Sequence, residues 1–229
     1  LTPAASVTIT DTGVVDYENI TIVPTVAAIT INVAGTLVAK TGPLTLGGTV
    51  AAVMNGGTIN AHLGITVTTT AALTGTTSIA AVGVSNQTIT GNGAAGGTIP
   101  NLPINSAAIV TFANGTIIQV SRDYIYMAGA ITVTGSTLKL AATTSATLTD
   151  AGVVTYYDVT FQPPAAGAIV YSGGASNMVV GRILTFAQGG NASETINMGT
   201  ITSNNSLGGG GVTVTATTNG YRGSATVVA

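Results

Sequence analysis

The chain has no cysteine and no tryptophan, and only 4% of its residues are aromatic. The missing cysteine excludes a disulfide framework and a thiolate metal site. Charge is almost as scarce. Five Lys/Arg and seven Asp/Glu make up 5% of 229 residues, against roughly a quarter in ordinary domains. Between Thr41 and Ser121 the one ionisable side chain is His62. With a net charge of −2 and no basic cluster, the chain lacks the Lys/Arg groups that neutralise a nucleic-acid backbone. Apolar runs are short and broken by Gly, Thr or Asn, far below the ~20 residues of a membrane-spanning helix. The chain is nevertheless long enough to bury a core without covalent staples. Its start at Leu1 is read as that of a mature chain whose export signal has been removed.

Alternation dominates what is present. "SVTIT" (6–10), "ITINVAG" (29–35), "GITVTTT" (64–70), "AITVTGSTLKL" (130–140) and "GVTVTATT" (211–218) place an aliphatic residue and a Thr or other small polar residue in turn. That is the pattern of a half-buried strand with one hydroxyl-bearing face. Gly-containing breaks such as "DTG", "NGG", "TGS", "DAG" and "LGGGG" separate the strands, and glycine supplies the positive φ of tight turns. No amphipathic helix is visible. The expected class is all-β, a β-sandwich of many short strands; a parallel β-helix is the alternative.

One stretch is written twice. "SVTITDTGVVDYENITI" at 6–22 and "SATLTDAGVVTYYDVTF" at 145–161 are identical at 9 of 17 positions without a gap. The sequence therefore reads as two related half-repeats, about 6–90 and 145–229.

Catalytic chemistry finds little material. His62 stands alone, there is no thiol, and no G-x-S-x-G elbow occurs. Asp11, Asp16 and Glu18, with Asp150 and Asp158 in the second copy, are the only grouped acids. Asp11 and Asp150 each precede a small residue and a Gly, which fits turn chemistry better than a glycosidase pair. The same acids are the candidates for a structural calcium ion, but no calcium-loop motif contains them. No enzyme activity, metal or cofactor is expected. Lys40 and Lys139 are candidates for isopeptide links to Asn. Tyr124/Tyr126 and Tyr156–Tyr157 are candidate sugar-stacking platforms, although spacing by two also suits cross-strand core pairs. Five N-x-[ST] sequons, at Asn19, Asn86, Asn114, Asn191 and Asn204, are candidate glycan acceptors on an exported chain.

The first copy of the repeat has no strand before it in sequence; the second follows "TLKLAAT" directly. Two expectations follow. Residues 4–10 fold back as an edge strand, or they leave the head and complete a neighbour's sheet, as donated strands do. A head-to-tail contact of the second kind does not close and builds a filament. The apolar N-terminal strand, the Thr/Val/Gly body, the scarcity of charge, the lack of Cys and the sequons together resemble the subunits of archaeal and bacterial surface filaments assembled by donor-strand complementation, in particular the thin glycosylated archaeal threads. That resemblance implies a donor strand of Ala4, Ala5, Ser6, Val7, Thr8, Ile9 and Thr10, with Val7 and Ile9 filling pockets. It implies a hinge at Asp11, Thr12 and Gly13, so that residues 1–12 form the donor segment and 13–229 the head. It also implies an extracellular, cell-surface location, a head-to-tail homopolymer, and a role in adhesion or biofilm. A monomeric or tip-located adhesin that binds surface glycans or other cells, or another surface or viral β-protein, is the alternative.

Overall fold

A computed structural model describes residues 1–163, 169–187, 194–215 and 221–229. Every ladder between its strands is parallel. This excludes the expected sandwich, whose sheets are antiparallel. The chain is the alternative architecture, a parallel β-solenoid. The Gly-rich breaks, read as hairpin turns, are instead corners where the chain turns to a new face and winds on. Among the described residues the regular helical content is a single 3-10 turn, Gly93–Ala95.

The chain winds through ten coils with three faces. Face A stacks 7–12, 29–32, 52–55, 73–75, the bridge residue Ile99, 117–120, 137–140, 158–161, 183–186 and 211–214. Face B runs from Asp16 and Tyr17 through 36–39, 58–61 and 78–81 to 194–197 and Tyr221–Arg222. Face C starts at Ile20–Ile22 and ends at Thr226–Val228. Alternation explains the section of the tube. In each short strand the aliphatic residues point inward and stack on their counterparts one coil away, as Ile20, Leu44, Ile65 and Ile89 do. The Thr and Asn between them face out.

The interior changes along the axis. The first four coils are filled by Ile, Leu, Val, Ala and Met alone. From the fifth coil onward aromatic rings enter in two groups, Phe112, Tyr124 and Tyr156, then Phe161, Tyr171, Phe186 and Tyr221, with neighbouring ring centroids 5.0 to 6.4 Å apart within each. Coil length varies as well. Stacked partners are 20 residues apart at Ile59 and Ile79 but 25 at Phe161 and Phe186 and 28 at Leu184 and Val212. Aromatic content does not set this length: partners are 21 residues apart at Phe112 and Val133 but 24 at Ile20 and Leu44.

The two copies of the repeat fold alike. In each, the Asp carboxylate accepts the N–H of the Gly two residues on, Gly13 to Asp11 at 2.9 Å and Gly152 to Asp150 at 2.8 Å. In each, the following Tyr hydroxyl donates to the other carboxylate oxygen, Tyr17 to Asp11 at 2.7 Å and Tyr156 to Asp150 at 2.5 Å. Both glycines have positive φ, +79° and +71°. Both corners contain the same bulge. Thr12 to Asp16 lies opposite Thr36 to Val38, and Ala151 to Thr155 lies opposite Asn177 to Val179. The copies differ by one face of the tube: the leading strand of the first lies on face A, that of the second on face B.

Candidate assembly edge

Residues 4–10 do not project from the body. Val7 to Thr12 pair in cis with Ile31 to Thr36, and the Ser6 hydroxyl accepts the Thr30 N–H at 2.9 Å. Ala4 and Ala5 form the exposed bend before it, Ile9 packs against the core, and Thr8 and Thr10 face out. Asp11, Thr12 and Gly13 form the bulged corner inside the continuous strand Val7–Tyr17, where the sequence suggested a hinge.

This strand pairs on one side only; its other edge is open. On face C the edge is already covered. The Leu1 amino group donates to the Thr21 carbonyl at 2.7 Å, and Val23 and Thr25 donate to the Leu1 and Pro3 carbonyls at 2.8 and 3.1 Å. Faces A and B of the first coil remain uncovered. Between them the tube opens into a cavity of about 260 Å³ lined by Leu1, Ile9, Tyr17, Asn19, Ile20, Thr21 and Leu37.

The internal copy shows what this end lacks. In it, Leu148 and Thr149 pair with Tyr124 and Ile125 of the preceding coil, and 158–161 pair with 137–140. Tyr124 also completes the corner, its hydroxyl 2.7 Å from that of Tyr156. Under that cover Val154 is 4% and Tyr156 0% exposed; their counterparts Val15 and Tyr17 are 51% and 37% exposed. Burial pushes the Tyr124 and Tyr156 hydroxyls well above the usual phenol range, and it raises the Asp150 carboxyl against the hydrogen bonds from Tyr156 and Gly152. At the open end the Tyr17 hydroxyl is raised instead by its hydrogen bond to Asp11.

The opposite end is open too. Phe186, Ile196, Ile201, Val212, Val214, Tyr221, Arg222, Gly223, Ala225 and Val227 surround a cavity of about 420 Å³. Val214, Val227 and Val228 are exposed there, whereas Phe186 and Ile201, which hold the equivalent stacked positions one coil earlier, are buried. Charge divides between the ends. Residues 1–28 contain Asp11, Asp16 and Glu18 and no Lys or Arg; residues 204–229 contain Arg222 and no acid. The sequence pattern directed attention to the first end.

The other candidates fall elsewhere. Tyr124, Tyr126 and Tyr156 are buried and present no stacking platform. Tyr157 is partly exposed, with the Arg182 guanidinium 4.6 Å over its ring. Asp158 holds that guanidinium in a two-point ion pair and accepts the Ile183 N–H at 3.0 Å. Asp16 pairs with Lys40 at the surface at 3.2 Å. Lys139 stacks between Gln119 and Thr160 with no Asn beside it in the ladder, and burial lowers its pKa. His62 lies in the turn between 58–61 and 64–67, and among the described residues no serine or carboxylate hydrogen-bonds to it. No cluster of three or more His, Asp or Glu side chains forms among the described residues. Nor is any helix there long and apolar enough to cross a membrane. Asn19, Asn86, Asn114 and Asn204 are exposed at corners of the tube, and Asn191 lies outside the described residues. No protein family, curated protein or solved structure matches the chain.

Proposed function

We propose that the protein is a structural subunit of an extracellular surface filament that polymerises head to tail, the last coil of one copy docking on the first coil of the next. The donated element is then the open edge of a complete coil, not a strand withdrawn from the body. One observation carries this reading: the corner at Asp11–Tyr17 has an internal twin, and the twin is buried under a preceding solenoid coil. The same sequence without its cover leaves Val7, Val15 and Tyr17 exposed. A parallel edge is unlike its opposite edge, so stacking is heterologous and does not close. Acids at one end and an arginine at the other favour that polarity. The nearly uncharged lateral faces and the corner sequons fit a glycosylated surface polymer with a role in adhesion or biofilm.

The test is electron microscopy and sedimentation of the whole chain beside Ile9→Lys and Val227→Lys, which place a charge in either mouth. The expected result is rods with an axial repeat of about 48 Å, ten coils at about 4.8 Å each, and monomers from either variant. Ile9→Lys added to the native chain should shorten rods, since it retains a working last coil. Native monomers, or rods undiminished by both variants, would overturn the reading.

A further inference from the structure

The ladder of face A is interrupted at the fifth coil, where Ile99 alone stands in place of a strand. Strand 73–75 therefore has no full partner on that side. The Thr98 and Ser121 hydroxyls donate to the Leu73 carbonyl at 2.5 and 3.0 Å, the second from two coils away. The interruption leaves a surface groove of about 290 Å³ lined by Val53, Thr74, Gly75, Thr76, Arg122, Thr143 and Thr144. It lies mid-tube, far in sequence from both open ends.

Arg122 is the only Lys or Arg between Lys40 and Lys139. Its Nε is buried and has no hydrogen-bond partner. It makes a long ion pair with Oδ2 of Asp123 at 3.7 Å, beyond hydrogen-bond reach. Asp123 is held in place by other contacts. Its Oδ1 accepts the Thr147 N–H at 2.7 Å, and its N–H donates to Asn101 Oδ1 at 3.1 Å. The Arg122 side chain as a whole is 35% exposed, and a planar guanidinium matches a carboxylate. Around it Thr74, Thr76, Thr143 and Thr144 supply hydroxyls that both donate and accept; Thr76 already accepts the Gly56 N–H at 2.9 Å and can still donate, and Thr143 donates to the Ser121 carbonyl at 3.5 Å and can still accept.

We infer that this groove binds a single carboxylate-bearing sugar, a hexuronate residue of an acidic polysaccharide, with its carboxylate on Arg122 and its ring hydroxyls on the threonines. The volume is at the lower limit of ligand pockets, about 300–1,000 Å³, so the groove encloses one ring. The nearby Asp123 carboxylate disfavours a dianion such as phosphate and tolerates a monoanion. The site is independent of end-to-end assembly. It supplies a glycan contact on the lateral wall, the role that the buried tyrosines cannot fill.

Titration with sodium glucuronate, followed by calorimetry or amide chemical shifts, tests the proposal, with glucose and inorganic phosphate as comparison ligands. The native chain should bind glucuronate saturably in the millimolar range, and glucose and phosphate at least about tenfold more weakly. Arg122→Gln should weaken glucuronate about tenfold, whereas Lys139→Gln, which alters another cation of the same face, should not. Thr144→Val, at an exposed position, should weaken it measurably and keeps the test decisive if Arg122→Gln does not fold. The inference is overturned by absence of saturation at tens of millimolar, by unchanged affinity in both variants, or by phosphate binding as tightly as glucuronate.

Discussion

Asp150 is a residue whose ionisation the fold resists. It is 2% exposed, and burial raises its pKa even though Tyr156 and Gly152 donate to its oxygens. A carboxyl with a folded pKa above its unfolded value of about 3.9 binds its proton more tightly in the native state. By linkage, its contribution favours folding below the unfolded value and is lost as pH rises through the folded one. The effect has the opposite sign to ordinary acid denaturation. With seven Asp and Glu in the chain, few other carboxyls oppose it. The melting temperature should therefore rise as pH is lowered from 7 towards about 4. Asp150→Asn keeps an oxygen for the Gly152 N–H and cannot ionise, so it should flatten that slope. Parallel slopes for the two proteins in a pH series of thermal melts would contradict this account.

At the scale of the element, the bulged corner is the unit that the sequence repeats. Its glycine is required for conformation, and the space beside it is tight as well. Gly152 has φ +71°, and an added Cβ would approach the Asn177 Cβ to 3.1 Å. Gly152→Ala should destabilise by about 1–2 kcal/mol through the left-handed backbone alone, read as a shift of the urea midpoint. Gly174→Ala, with φ +56° and nothing within 4 Å of the added atom, separates conformational cost from crowding. The corner was legible because a fixed spacing of Asp, Gly and Tyr performs one local task. Strand positions were legible too, since alternation is a property of any half-buried strand. Pairing was not. Parallel and antiparallel strands alternate identically, and a Gly-rich corner of a coil has the composition of a hairpin turn. The coil period was hidden by its own variation between 20 and 28 residues. The groove at Arg122 could not be read at all. Val53, Thr74, Arg122 and Thr143 are adjacent only because an interrupted ladder brings the third, fourth, sixth and seventh coils to one surface.

For the whole molecule, a tube of coils is close to one-dimensional: each coil is held by its neighbours, and an end coil has one neighbour fewer. The middle coils add the ring pairs Phe112–Tyr156, Phe161–Tyr171 and Phe161–Phe186, so local opening should be rarest there and commonest in the first and last coils. The twin segments make this measurable inside one chain. The amides of 146–149 lie between two coils, and those of 7–10 lie against one. In dispersed chains carrying Ile9→Lys, hydrogen exchange should be slow at 146–149 and markedly faster at 7–10. In rods of the native chain the two segments should converge, because a docked coil supplies to 7–10 the cover that 124–125 gives to 148–149. Protection should also rise at 211–214 and 226–228, where the other mouth is filled, and stay unchanged at 58–61 on the lateral wall. Lateral bundling of tubes would give the reverse pattern, with gains on the exposed faces and none at the ends. Exchange at 7–10 that stays fast in rods would therefore move the interface from the coil edges to the sides.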